Sequence, residues 1–151
     1  MAAEGSRQIL AFDFGTRRIG VAVGNELAAR ATALAPLPAR DGIPDWGVVV
    51  RLVEEWGPDL FVVGLPLNMD GSESEMSIRA RKFGKRLYGR FGKPCVMVDE
   101  RGSTREAKAI ARAAGHRGNY REESVDGLAA QLILEGWFAQ GEGLPGRESY
   151  R

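Results

Sequence analysis

The chain has 151 residues, 44% of them apolar and 27% charged, which is the size and composition of one globular domain with a sizeable core. No apolar run approaches the roughly 18 residues of a membrane span, and the amino-terminal MAAEGSRQ lacks the apolar stretch of a signal peptide. A single cysteine, Cys95, excludes an intrachain disulfide, and with one histidine, His116, it makes no zinc site. The expectation is therefore a cytoplasmic protein with no membrane partner.

The net charge of +1 is unevenly distributed. Residues 77–121 hold 13 Lys or Arg against 3 Asp or Glu, an excess of +10, while the remainder carries a balance of −9. Segregation on that scale is the footprint of a polyanion-binding surface, and nucleic acid is the expected partner. The plainer alternative is a set of solvated basic helix faces.

In chain order, Gln8 to Phe14 (QILAFDF) reads as a buried strand ending on Asp13. Gly15 to Arg18 is a turn, and Ile19 to Val23 returns as the second strand of a hairpin. Arg30 to Pro36 is a weaker third strand, closed by Pro36 and Pro38. Apolar residues at 48, 49, 52, 53 and 56 predict a helix over 45–56, stopped by Gly57-Pro58. Leu60 to Gly64 (LFVVG) is continuously apolar, as a strand buried on both faces should be. A polar loop from Leu67 to Glu73 precedes a helix with apolar positions at 76, 80, 83, 87 and 91, whose basic residues lie mostly off that stripe. Pro94 to Asp99 is another buried strand. Ser103 or Thr104 caps a helix that carries Ala107, Ile110, Ala111 and Ala114 and ends at Gly115, and Ser124 starts a last helix. Residues 1–139 read as one α/β domain with a mixed sheet flanked by helices; residues 140–151 read as a flexible tail with nothing to pack.

Three carboxylates fall where a sheet protein builds sites: Asp13 at the end of the first strand, Glu100 after the last, and Asp126 in the first turn of the final helix. A carboxylate at a buried strand end needs compensation of its charge. A hard divalent cation such as Mg²⁺ supplies it through oxygen ligands and substrate phosphate. Three converging carboxylates can hold two such ions about 3.5–4 Å apart, the arrangement used for in-line phosphodiester displacement. Each residue also has a plainer role: Asp13 as a turn cap, Glu100 as a surface partner of an arginine, and Asp126 as a charge favoured by the helix dipole.

These residues stand in motifs. Asp13-Phe14-Gly15-Thr16-Arg17-Arg18-Ile19-Gly20-Val21-Ala22, the loop from Gly64 to Glu73, Asp99-Glu100-Arg101-Gly102-Ser103-Thr104, and Val125-Asp126-Gly127-Leu128-Ala129-Ala130 occur in this order. Together they resemble the four motifs of the YqgF/RuvX family of Holliday-junction resolvases and pre-16S rRNA nucleases, over roughly residues 8 to 139. The resemblance implies an RNase H-like fold, a five-stranded mixed sheet whose first three strands are antiparallel. It also implies Asp13, Glu100 and Asp126 as a catalytic, metal-binding set for two Mg²⁺ or Mn²⁺ ions. Two positions depart from the family pattern. Gly102 replaces a bulky apolar residue and Gly127 a non-glycine residue, and both are expected to loosen backbone near the site.

Thr16, Arg17 and Arg18 at the hairpin tip, Arg79, Lys82 and Lys85 in the basic helix, Arg101 within the third motif and Arg105 just beyond it are the expected nucleic-acid contacts. Asn68, Gly71 and Ser72 form a candidate phosphate loop ahead of a helix N-terminus, with a simple capping turn as the alternative. Resolving a symmetric junction takes two sites, which keeps a homodimer among the expectations. Two other functions stay open: a non-catalytic nucleic-acid-binding module, and an actin-like or sugar-kinase-type ATP-binding domain. The latter calls for a second phosphate loop that this chain lacks.

Overall fold

The computed structural model describes the backbone of residues 7–99, 122–140 and 148–150, and the side chains of all of these except 122–126, 140 and 148. Among them the strands are β1 (Gln8–Asp13), β2 (Arg18–Asn25), β3 (Arg30–Arg40), β4 (Ile43–Pro44), β5 (Leu60–Leu65), β6 (Cys95–Asp99) and β7 (Glu148–Tyr150). The helices are α1 (Trp46–Trp56), α2 (Glu75–Phe91) and α3 (Glu122–Gln140). The sheet runs β4-β3-β2-β1-β5-β6-β7. β1, β5 and β6 are mutually parallel neighbours, and all other pairs are antiparallel. The expected antiparallel β1–β2–β3 opening and parallel centre are both present. The helix expected over 103–115 lies outside the described residues.

The strand count is seven rather than five, and the two additions have identifiable causes. Asp41 and Gly42 both have positive φ, 51° and 81°, and Arg40 pairs with Ile43. That is a two-residue hairpin of the type that favours Asp-Gly, and it creates β4. At the other edge Glu148, Ser149 and Tyr150 pair antiparallel with Met97, Val96 and Cys95. The expectation that 140–151 has nothing to pack is thus corrected at 148–150: the open edge of β6 offers unpaired backbone groups, and these residues take them up. β3 also outruns its expected end and passes through both prolines. Its register against β2 shifts between Ile19 and Val21, so Pro36 sits in an irregularity, and Pro38 lies where β3 is an outer strand. A missing N–H is tolerated at both kinds of position.

The two sheet faces bury different sets. Leu10 and Phe12 of β1, Phe61 and Val63 of β5, and Met97 of β6 point to the face covered by Val49 and Val53 of α1 and Ala80, Phe83 and Leu87 of α2. Ile9 and Ala11, Leu60 and Val62, and Val96 and Val98 point to the other face, where Ala130, Ile133, Leu134 and Trp137 of α3 cover them. Cys95 and Trp137 are core residues, as expected. Burying a Phe, Leu or Val side chain contributes about 1.5–3 kcal/mol, so strands apolar on both faces must take the centre of the sheet.

Local signals fix the helix ends. The Asp45 carboxylate accepts the Gly47 N–H at 2.9 Å, and Gly57 at φ 53° donates to the Val53 carbonyl at 2.8 Å. Ser74 and Ser77 cap α2 reciprocally, each backbone N–H donating to the other's hydroxyl, at 2.8 and 2.9 Å.

Candidate active site

β1, β5 and β6 run parallel, so their carboxyl ends share one edge of the fold, the usual place for a site in an open α/β sheet. Asp13 is the last residue of β1 and half-buried. Alternation along the strand puts it on the face of Ile9 and Ala11, under α3. Its partner in β2 is Gly20. In β5, one step on from the Phe12–Val63 pair, it stands level with Gly64. Both neighbours on that face therefore lack side chains. No side chain of β2 or β5 stands directly beside the carboxylate on that face, and both glycines are themselves buried. Gly20 and Gly64 read in sequence only as strand glycines; their meaning depends on register, which no local signal reveals.

The N-terminal part of α3 reaches this same end and face. A Cβ placed on the buried Gly127 would lie 3.1 Å from the Cβ of Ala33 and 3.7 Å from the Leu34 carbonyl of β3. Through the β3–β2–β1 register, that contact is level with Ala11 and Phe12. At its far end α3 meets the start of β1, where the Arg7 guanidinium lies over the Trp137 ring at 5.7 Å. The helix turn holding Asp126 thus sits at the Asp13 end of the sheet. Gly127 permits close approach of helix to sheet, a packing role beside the backbone loosening expected of it. Gly24, whose Cβ would come within 3.0 Å of both Leu134 and Phe138, serves the same packing further along.

Glu100 and the side chain of Asp126 lie outside the described residues, as do Arg101, Gly102, Arg105 and His116. Glu100 follows Asp99, the end of β6, two strands from β1. Among the described residues no three His, Cys, Asp or Glu side chains gather as a metal site. The chemistry of the expected donor set still fits a hard cation, since it offers oxygen ligands alone.

The hairpin tip is held by its backbone. A Cβ on Gly15 would fall 2.3 Å from the Arg18 carbonyl, so the turn admits only glycine there. The Thr16 and Arg17 carbonyls accept the N–H groups of Gly42 and Ala39 at 2.9 and 2.8 Å. Thr16 is half-buried, Arg17 exposed, and Arg18 opens β2.

The loop of Asn68, Gly71 and Ser72 looks inward. The Gly71 N–H donates to the Asn68 carbonyl, and the Ser72 N–H and hydroxyl both donate to the Asp70 carboxylate. The Asn68 amide spans the loop to the Ser72 hydroxyl and the Glu73 carbonyl. Glu73 accepts from the Ser77 hydroxyl and pairs with Arg81, which holds its carboxyl below the usual range. With the Asn68, Gly71 and Ser72 N–H groups satisfied within the loop and two carboxylates beside it, the loop has features of the alternative reading, a capping turn.

The basic residues of α2 separate into three environments. Arg79 is paired with Asp41 at 2.9 Å and Glu75 at 3.3 Å, and the Asp41 carboxylate raises its already high pKa. The Lys85 ammonium lies 5.6 Å from the centre of the Tyr150 ring. Lys82 is exposed and lines a pocket of about 230 Å³ with Arg86, Arg79, Phe14 and the Asp41–Gly42 turn. No helix among the described residues is long and apolar enough to cross a membrane.

Comparison with known proteins agrees with this architecture. The family described as RuvX, Holliday junction resolvase, matches residues 7–140. A Chromohalobacter salexigens protein provisionally named pre-16S rRNA nuclease is 75% identical over 139 residues, covering 92% of this chain and 94% of its own. An Azotobacter vinelandii protein of the same name is 56% identical over 136 residues, covering 90% and 96%. Among solved structures, T. thermophilus RuvC in complex with Holliday junction substrate matches at a TM-score of 0.53 and 15% identity, over 89% of this chain and 96% of that one. The fold is RNase H-like.

Proposed function

The chain belongs to the RuvX family of Holliday junction resolvases, and on that premise we propose that it is a divalent-metal-dependent endonuclease that hydrolyses phosphodiester bonds in structured nucleic acid. The substrates that relatives' names and the family description suggest are Holliday-junction DNA and pre-16S rRNA. One observation carries the reading: Asp13 stands between Gly20 and Gly64, on the sheet end and face where the Asp126 turn of α3 arrives. In sequence, Glu100 directly follows Asp99, which ends β6 two strands from β1.

Asp13, Glu100 and Asp126 are proposed to hold the cations. Two bound divalent ions supply the charge that activates water and stabilises the leaving oxygen in such hydrolysis. The steric demand at Gly15 sets the sharp turn that brings Thr16 and Arg17 over the same edge as Asp13. The exposed Arg17 guanidinium is then placed to hold a neighbouring phosphate by charge-assisted hydrogen bonds.

The test is cleavage of a four-way DNA junction and of a pre-16S rRNA 5′ fragment, each with Mg²⁺, with Mn²⁺ and with EDTA. Cutting of at least one substrate with metal and of neither with EDTA is expected. Binding without cutting under every condition would replace the enzyme by a binding module.

A further inference from the structure

A second charged feature lies on the opposite face of the sheet from Asp13. The Asp41–Gly42 turn leans on α2 through the Asp41–Arg79 ion pair, and Gly42 fits against the Phe14 ring, where a Cβ would come within 2.7 Å. Between turn and helix opens the pocket of about 230 Å³, floored by Phe14 and Phe83 and edged by Arg79, Lys82 and Arg86. Residues at these spacings share one face of a helix. The charges do not cancel. Arg79 answers Asp41 and Glu75, whereas Lys82 and Arg86 have no carboxylate partner among the described residues.

We propose that this pocket is a phosphate subsite for the nucleic-acid backbone flanking the cut, with Lys82 and Arg86 as its contacts and Arg79 as a positioning residue that holds the turn. The inference rests on the nuclease reading for its substrate. Three observations carry it. Two cations without a carboxylate partner among the described residues face one cavity, and Asp41, the carboxylate in its described lining, is paired with Arg79. Its volume is below that of pockets built for drug-sized ligands and suits a phosphodiester group. Phe14, one of its walls, is the residue after Asp13, so backbone passing around the end of β1 meets both sites. Lys85, beside Tyr150, is not part of the pocket, and Arg86, which the sequence did not single out, is.

The test measures affinity for the DNA junction and the rRNA fragment across a NaCl series in EDTA, where no cleavage intervenes. Lys82→Ala with Arg86→Ala should flatten the slope of log K against log salt by about 1.4–1.8, the loss of two phosphate contacts at 0.7–0.9 each. Arg51→Ala, an exposed cation on α1, should leave it unchanged. Both altered side chains are exposed, and a thermal melt confirms that the double variant is folded. A wild-type slope in the double variant, an equal flattening by Arg51→Ala, or no binding by the wild type would each overturn the subsite. So would inorganic phosphate raising the melting temperature of wild type but not of the double variant while the oligonucleotide slopes stay equal, which marks a small-anion site. Failure of the nuclease reading shows separately, as absence of cleavage with every metal, and leaves the slope measurement standing.

Discussion

The two faces of one sheet are built by different rules. The α1/α2 face is filled by large side chains: Phe12 meets Phe61 at 6.1 Å and Phe83 at 5.3 Å between ring centres, and Trp46 stacks on Phe83 at 5.8 Å. The α3 face mixes Ile9, Leu60 and Val62 with small residues, Ala11, Ala22, Ala31 and Gly24, and Gly127 brings the helix close to Ala33. Aromatic packing gains area and shape complementarity. Small-residue packing gains proximity, and proximity is what a site shared between helix and strand end requires. One face is chiefly the stabilising layer, the other the positioning layer.

Substitutions on the two faces should therefore separate stability from activity. Phe61→Ala on the aromatic face should cost about 3–5 kcal/mol through the cavity it leaves, read as a lower urea midpoint, while activity per folded molecule is kept. Gly127→Leu on the small-residue face should cost less, about 1–3 kcal/mol from overpacking against Ala33, yet should lower activity well beyond the unfolded fraction, because the turn carrying Asp126 is pushed off the sheet. Equal loss of stability and activity in both variants would erase the distinction.

A smaller effect belongs to Cys95, between sheet and α2. Burial pushes its thiol from 9.0 up to about 12, since a thiolate there would lose its hydration. The native protein should leave Cys95 unlabelled by a thiol reagent near pH 8, with full labelling after denaturation. Because the folded state keeps a proton that the unfolded chain releases, the thiol's contribution is fully present below pH 9 and declines as pH rises toward 12. Prompt labelling of the folded protein would show that the α2 face opens readily.

How far these faces were legible in the sequence depended on the range of the signal. Continuous apolar runs found β1, β5 and β6 because central strands must be apolar on both sides. Cap residues found the ends of α1 to within a residue, and the motif resemblance pointed to Asp13. The Asp41-Gly42 pair is a local hairpin signal, and β4 and the pocket depend on it. Pro36 and Pro38 suggested a strand end because proline forfeits a donor, yet an outer strand has no partner there to disappoint. The pairing of Asp13 with Gly20, its level with Gly64 and the contact of Gly127 with Ala33 are matters of register and helix placement. They depend on residues far apart in the chain and could not be read locally.

Asp13 is the carboxylate proposed to hold metal. Asp13→Asn keeps the shape of the side chain and removes its charge, so cleavage and melting temperature measured together on one preparation test it directly. The expected result is cleavage of junction DNA and rRNA fragment reduced to background with Mg²⁺, substrate affinity retained or increased, and a melting temperature equal to or above that of wild type, since repulsion among clustered carboxylates is relieved. Wild-type cleavage by the variant, or a loss of activity that merely tracks a lowered melting temperature, would contradict it.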